Sequence, residues 1–120
     1  MVNANIKGRA AENQLATYLR VNGYEAELLR LAGEVDRGDL WVPQTAHRVE
    51  VKSHAKITDV LNLGVLDVRK LNANFPHDTN VLVVRRPGQP TKNWYVVREV
   101  QDVWPMLEGS MLADDRKVGG

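Results

Sequence analysis

Two acidic residues and a lysine in the middle of the chain have the types and spacing of a site for a divalent cation. Asp39 precedes one short apolar run, and Glu50 and Lys52 lie within the next. Mg²⁺ prefers hard oxygen ligands, commonly one or two carboxylates, with water or a phosphate completing its coordination. A lysine beside such a pair could orient or polarise an attacking water molecule. We therefore take residues 39, 50 and 52 as the candidate catalytic set.

A hairpin is predicted to bring these side chains together. The apolar runs 40–42 and 49–51 are separated by Pro43-Gln44-Thr45-Ala46, which indicates an antiparallel pair with a four-residue connection. If Val42 pairs with His47, Asp39 lies opposite Glu50. Alternation then places both acids on the face that also carries Trp41, Arg48 and Lys52. Like charges directly opposed destabilise a sheet, so two ionised carboxylates need a compensating cation, and Mg²⁺ would supply it.

A helix is predicted to add a third acid. Residues 5–21 have an amphipathic pattern, and Asn22-Gly23 is typical of a helix end. Glu12 borders the apolar stripe of this helix instead of lying on the solvated face. Its carboxylate can therefore reach inward.

The remaining pattern predicts one α/β domain over residues 1–120, a mixed central sheet flanked by helices. A strand is expected at 24–31, followed by a turn-rich loop. Thr58 or Asp59 could cap a second helix that continues to Leu71. Gly64 lowers the helix propensity of this stretch, so two shorter helices are an open alternative. Residues 81–84 predict a strand buried on both faces. A turn at 85–90, a strand at 93–98, a short helix at 99–107 and a frayed tail at 109–120 complete the prediction.

Composition limits the possible chemistry. The chain has 120 residues, 43% of them hydrophobic and 26% charged, enough for one core of moderate size. It contains no cysteine, which excludes disulfides, thiolate zinc sites and a cysteine nucleophile. The three histidines match no zinc motif. There is no apolar run long enough to span a bilayer and no signal-like segment, so we expect a soluble, cytoplasmic protein without a membrane partner.

The net charge of +1 is low for a protein that grips several phosphates by charge alone. Basic residues nevertheless gather in pairs, and each pair is either a contact for an anionic partner or ordinary surface charge. The pairs are Lys7 with Arg9, Arg69 with Lys70, Arg85 with Arg86, and Arg116 with Lys117.

The order helix, three strands, helix, strand, with these acids in place, resembles the PD-(D/E)XK nuclease superfamily, and most of all the archaeal-type Holliday junction resolvases. The likeness covers roughly residues 5–100. Its motifs are Lys7-Gly8-Arg9-Ala10-Ala11-Glu12, Gly38-Asp39-Leu40-Trp41 and Val49-Glu50-Val51-Lys52. The resemblance implies a restriction-endonuclease-like fold with an αβββαβ core.

The resemblance also implies roles. Asp39 and Glu50 would bind the divalent metal, with the backbone carbonyl of Val51 as a further ligand, and Lys52 would activate or position water. Glu12 resembles the helix acid of the family, which helps to hold a metal or its water shell. Asp36 competes with Asp39 as the metal ligand, and the number of metal ions, one or two, stays open.

The implied activity is Mg²⁺-dependent phosphodiester hydrolysis in branched DNA by a symmetric homodimer, leaving a 5′-phosphate, with Mn²⁺ expected to substitute. Exposed aromatic residues, among Trp94, Tyr95 and Trp104, suit the dimer interface. Candidate DNA contacts are Lys7, Arg9, Arg37, Arg48, His54, Arg69, Lys70, Arg85 and Arg86.

Three alternatives stay open. A restriction-like or repair endonuclease of the same superfamily would keep the metal site but cut other DNA. A DNA-binding protein with the same fold would bind junctions without cutting them. Trp41 and Arg48 should lie opposite each other, and their cation–π contact could lie near DNA or be purely structural.

Overall fold

A five-stranded mixed sheet forms the centre of the protein. The computed structural model describes residues 2–29, 36–53 and 56–104, and of residues 2–8 only the backbone. The elements in chain order are α1 (Val2–Val21), β1 (Glu27–Leu28), β2 (Leu40–Val42), β3 (His47–Lys52), α2 (Ile57–Asn74), β4 (Thr79–Val84) and β5 (Tyr95–Val97). The strands lie in sequence order, and only β3 and β4 are parallel among the strands of the described ranges.

The two long helices pack on opposite faces of the sheet. Alternation along β4 sends Val81 and Val83 into the cluster that contains α1, and Leu82 and Val84 into the cluster that contains α2. The continuous apolar run in β4 is therefore buried on both faces, as predicted. A parallel pair needs a crossover connection, and α2 supplies it between β3 and β4. The prediction of one α/β domain with a mixed sheet flanked by helices is confirmed.

The hairpin has the predicted register. Leu40 pairs with Val49, Trp41 with Arg48 and Val42 with His47. The connection is a single 3₁₀ turn, Pro43–Thr45, followed by Ala46 in the left-handed region at φ 52°. The apolar face of the hairpin packs against Ala11, Leu15 and Ala16 of α1. This packing presents the opposite face of β3, with Glu50, to the side of α2.

The predicted cap of α2 is wrong, and the open question of one or two helices is answered. The helix begins at Ile57, with Lys56 in the capping position, so neither Thr58 nor Asp59 caps it. It is also continuous through Gly64, because packing against the sheet overrides the low helix propensity of glycine. A Cβ at this position would lie 2.6 Å from Leu82 Cδ2, so the bare backbone lets α2 approach β4 closely.

Other boundaries differ from the prediction. The helix α1 begins earlier than expected, at Val2, and β1 and β5 are two and three residues long. Edge strands gain few cross-strand contacts, so their ends depart early from the ladder. Residues 100–104 are helical. Residue 99 is described and is not helical, whereas residues 30–35, residues 105–107 of the predicted helix and the predicted tail lie outside the described residues. No helix in the described ranges is long and apolar enough to cross a bilayer.

Candidate active site

Asp39 is fixed by its backbone and its carboxylate together. Its N–H donates to the Val49 carbonyl at 2.8 Å, and its Oδ2 accepts a hydrogen bond from the Val51 N–H at 2.7 Å. Both bonds tie Asp39 to β3 just beyond the last pair of the ladder, Leu40 with Val49, so the ladder does not include the predicted pairing of Asp39 with Glu50. The preceding Gly38 has φ +88°, and its N–H donates to Asp36 Oδ1 at 2.9 Å. Asp36 is thus exposed and engaged in the turn, while Asp39 points into the site.

Glu50 is a buried carboxyl on β3, only 4% exposed. Burial, followed by the nearby charges of Asp39 and Asp36, raises its pKa to about 9. Its Oε1 has no hydrogen-bond partner among the described residues. A buried acceptor without a donor is costly, so this oxygen is a place where a proton or a cation would be stabilising.

Glu12 reaches the same site from α1. Burial, the charge of Asp39 and a side-chain hydrogen bond with Asp39 raise the pKa of Glu12 to about 7, and Arg9 opposes the shift. Burial also raises the pKa of Asp39, although the Val51 N–H and hydrogen bonds with Glu12 and Glu50 oppose it. The pKa values of both glutamates are raised because crowded carboxyls do not all ionise readily without a cation.

Lys52 lies beside the carboxyls and is held by α2. Its Nζ is 2.6 Å from Asp67 Oδ2, with the two side chains 22% and 28% exposed. Burial lowers the pKa of Lys52, but the ion pair with Asp67 and the charges of Glu50 and Asp39 outweigh it and the net shift is upward. Lys52 therefore stays an ammonium at neutral pH, which suits orienting or polarising water.

Asp67 was missed from the sequence, although a signal was present. It lies on the buried stripe of α2, three residues after Gly64 and next to Val68. A charged residue on such a stripe requires a partner. That partner, Lys52, could not be named without knowing where α2 crosses the sheet.

The oxygen donors of the site suit a hard cation. Asp39 and Glu50 lie at the end of the hairpin, close enough for their carboxyls to interact. The Val49 carbonyl bonds to Asp39, and by alternation the Val51 carbonyl faces the same side of β3. Within the described part of the chain, no group of three or more histidine or acidic side chains is arranged to hold a metal ion. A further ligand would come from the backbone or from water.

Arg48 is engaged inside the structure. Its Nε lies 2.8 Å from Asp78 Oδ2, and its guanidinium stacks on Trp41 at 4.8 Å and on Phe75 at 3.7 Å. The predicted cation–π contact with Trp41 is confirmed. The side chain is 15% exposed, which favours the structural stack over a DNA contact.

The other basic candidates divide by position. Arg85 lies next to Lys52, since its N–H donates to the Lys52 carbonyl at 2.9 Å and its Nη1 to Ser53 Oγ at 3.2 Å. Arg9 is exposed and close enough to lower the pKa of Glu12. Arg86 follows Arg85 and stacks on Tyr95 at 4.3 Å.

Further candidates lie away from the carboxyls. Arg69 pairs at 2.8 Å with Glu99, which follows β5 at the sheet edge opposite the hairpin. Lys70 is exposed on α2. Arg37 is exposed, and its carbonyl accepts a hydrogen bond from Arg48 at 3.1 Å. The side chains of Lys7 and His54 lie outside the described part of the chain.

One aromatic prediction is wrong. Trp94 is 9% exposed, and its Nε1 donates to the Gln89 carbonyl at 3.3 Å, so it belongs to the core. The indole could bury its ring because the turn before β5 supplies an acceptor. Tyr95 and Trp104 are each 53% exposed and remain available to a partner.

The chain matches none of the protein-family models, curated proteins or solved structures with which it was compared. A function is therefore inferred from the chemistry of the site.

Proposed function

We propose that the protein is a Mg²⁺-dependent endodeoxyribonuclease that hydrolyses phosphodiesters in branched DNA, above all in four-way junctions. One observation carries the proposal: the carboxyls of Glu12 and Glu50 each interact with that of Asp39, and the Lys52 ammonium lies near Asp39 and Glu50; these carboxyl groups are called the carboxyl cluster. The element order α1, β1, β2, β3, α2, β4 supports a restriction-endonuclease-like core of the PD-(D/E)XK type.

The chemistry of the oxygen donors, two carboxyls and a backbone carbonyl, is the kind that magnesium prefers. Asp39 and Glu50 would hold it together with the Val51 carbonyl, and Glu12 would contact the ion or its water shell. The unpartnered Glu50 Oε1 and the raised pKa values of both glutamates indicate a site that lacks positive charge. When bound, Mg²⁺ supplies a Lewis acid for the phosphate and lowers the pKa of bound water. Mn²⁺ offers similar chemistry.

The side chains of the protein then have separate tasks. The Val51 N–H holds the Asp39 carboxylate in one orientation. Lys52 remains protonated, so it can donate a hydrogen bond to the attacking water or to a phosphate oxygen as negative charge develops there. Fixed charges that face developing charge in this way supply the larger share of catalysis in phosphoryl transfer.

The positions of Arg9 and Arg85 support a DNA path across the site. Arg9 lies beside Glu12, and Arg85 lies beside Lys52. One basic residue is therefore adjacent to the carboxyl cluster at each of these two positions. Both could neutralise phosphates next to the scissile bond. Two cations near the site are compatible with a chain whose net charge is only +1.

A homodimer would allow both opposing strands of a junction to be cut. Tyr95 and Trp104 are the exposed aromatic candidates for its interface.

The test is a cleavage assay on a labelled four-way junction, a matched linear duplex and a flap, each with Mg²⁺, with Mn²⁺ and with EDTA. We expect metal-dependent cuts in the junction, on both pairs of strands, that leave 5′-phosphates. Equal cutting of the duplex or flap would indicate a restriction-like or repair endonuclease instead. Junction binding without cleavage in either metal would indicate a binding protein and contradict the proposal.

A further inference from the structure

We infer that Asp67 is a positioning residue that holds the Lys52 ammonium at the edge of the carboxyl cluster. The inference rests on the proposed function, because the position of Lys52 matters only if this ammonium acts on a substrate. It adds a residue of α2 to a site that the sequence placed on α1 and the hairpin alone.

The contact joins two separate elements. Lys52 is the last residue of β3, and Asp67 lies in the second half of α2, yet Nζ and Oδ2 are 2.6 Å apart. Both side chains are largely covered. Partial burial reduces the screening of this pair by water and salt.

The depth of α2 on the sheet makes the contact possible. Because Gly64 has no side chain, α2 can lie very close to the sheet. A Cβ at Gly64 would be only 2.6 Å from Leu82 Cδ2. Leu82 is in register with Glu50 on the neighbouring strand β3. Asp67 is three residues after Gly64 and so lies on the same face of α2. The closest approach of helix and sheet therefore occurs beside the strand that carries Glu50 and Lys52.

A lysine in this place needs such a partner. Its flexible four-carbon stem allows the ammonium many positions, and the carboxyl groups of Asp39 and Glu50 lie nearby. An ammonium bound directly to either carboxylate would compete with a cation for the same oxygens. Asp67 provides an acceptor outside the cluster, so Lys52 lies near the ligands without occupying them.

The competing explanation is an ordinary ion pair that only joins α2 to the sheet. Partly exposed pairs of this kind contribute little to stability. The two explanations predict different cleavage rates when the Asp67 carboxylate is removed from a protein in which Lys52 has already been replaced.

The first experiment is a double-mutant cycle of single-turnover cleavage rates on a four-way junction, with Mg²⁺ and saturating protein. We expect Asp67→Asn to slow cleavage by roughly 10²-fold, as for a misplaced catalytic group, with the Kd for the junction unchanged. Asp67→Glu, which keeps the carboxylate, should restore part of the rate. Asp67→Asn combined with Lys52→Ala should be no slower than Lys52→Ala alone.

The matched control is Asp59→Asn, the same chemical change at an exposed position of α2. It should leave the rate unchanged. An Asp67→Asn protein with the rate of the unaltered protein would overturn the inference. The inference would also be overturned if the double variant were slowed by the product of the two single effects, because Asp67 would then act independently of Lys52.

The second experiment needs neither DNA nor metal. The folded protein is treated with a limiting amine-acylating reagent, and modification of Lys52 is followed by mass spectrometry. We expect faster modification of Lys52 in Asp67→Asn than in the unaltered protein or in Asp59→Asn, because its ammonium no longer has its partner. If the unaltered protein cleaves no DNA, the proposed function is wrong, and acylation alone decides whether Asp67 holds Lys52. Equal acylation rates would show that it does not.

Discussion

Asp39 has a carboxyl neighbour in both Glu12 and Glu50, and Lys52 is the adjacent cation. The crowding is relieved by protonation, since the pKa values of the two glutamates are raised to about 7 and about 9. A structural role alone would be served better by apolar side chains of similar volume. The arrangement is understandable if a cation neutralises the site during function.

The stability of the metal-free protein should fall as the pH rises. Both pKa values are raised above the usual 4.5, so the folded protein holds more protons than the unfolded chain from about pH 4.5 to about pH 9. The free energy of unfolding then decreases across this window, by at most about 1.4 kcal/mol per pH unit for each linked proton. Urea denaturation between about pH 5 and pH 9, in EDTA, measures the slope.

The control for this prediction is a pair of variants. Glu50→Gln cannot ionise, so it should flatten the slope, most visibly above about pH 7, where Glu12 has already lost its proton. Glu27→Gln changes an exposed glutamate on β1 in the same way and should keep the slope. If Glu50→Gln and the unaltered protein have equal slopes, the Glu50 carboxyl is not protonated in the fold.

At the scale of elements, the hairpin could be predicted and the crossover helix could not. Period-two alternation and the four-residue connection are local, and together they fix the register that pairs Leu40 with Val49 and Val42 with His47. The 3.6-residue period of α1 likewise turns Glu12 towards the core. The contact between Lys52 and Asp67 depends instead on how α2 packs across the sheet, which no local pattern specifies.

Gly64 should be more important to the fold than its low helix propensity suggests. Gly64→Ala gains up to about 1 kcal/mol in helix propensity. It also forces a Cβ into Leu82, which is fully buried, and overpacking of this kind costs about 1 to 3 kcal/mol. We expect a net loss of stability in urea denaturation. The control is Asn62→Ala, at an exposed position of the same helix, which should gain stability. A Gly64→Ala protein that is equally stabilised would contradict the close packing of α2.

At the scale of the whole molecule, the basic residues are divided between two regions. Arg85 follows β4 next to Lys52, whereas Arg69 and Lys70 lie on α2, where Arg69 pairs with Glu99 beyond β5. The sequence showed these pairs but not their separation, because separation depends on strand order. If DNA crosses the carboxyl cluster, only the first region should contact its phosphates.

Binding of a four-way junction at several salt concentrations tests this division. Arg85→Ala with Arg86→Ala should weaken binding and reduce the slope of log K against log salt by about 1 for each phosphate that is no longer neutralised. Arg69→Ala with Lys70→Ala removes the same charge from the other region and should leave the slope unchanged. Fluorescence anisotropy of a labelled junction gives both slopes. Equal effects of the two pairs would remove the proposed DNA path.

The most direct measurement is the rate of junction cleavage by the Asp39→Asn protein in Mg²⁺, compared with the unaltered protein. This substitution keeps the size of the side chain but removes the charge that would hold the cation. We expect cleavage to disappear while junction binding stays equal or becomes tighter, since one negative charge near the phosphates is gone. Undiminished cleavage by Asp39→Asn would show that the carboxyl cluster is not the site of hydrolysis.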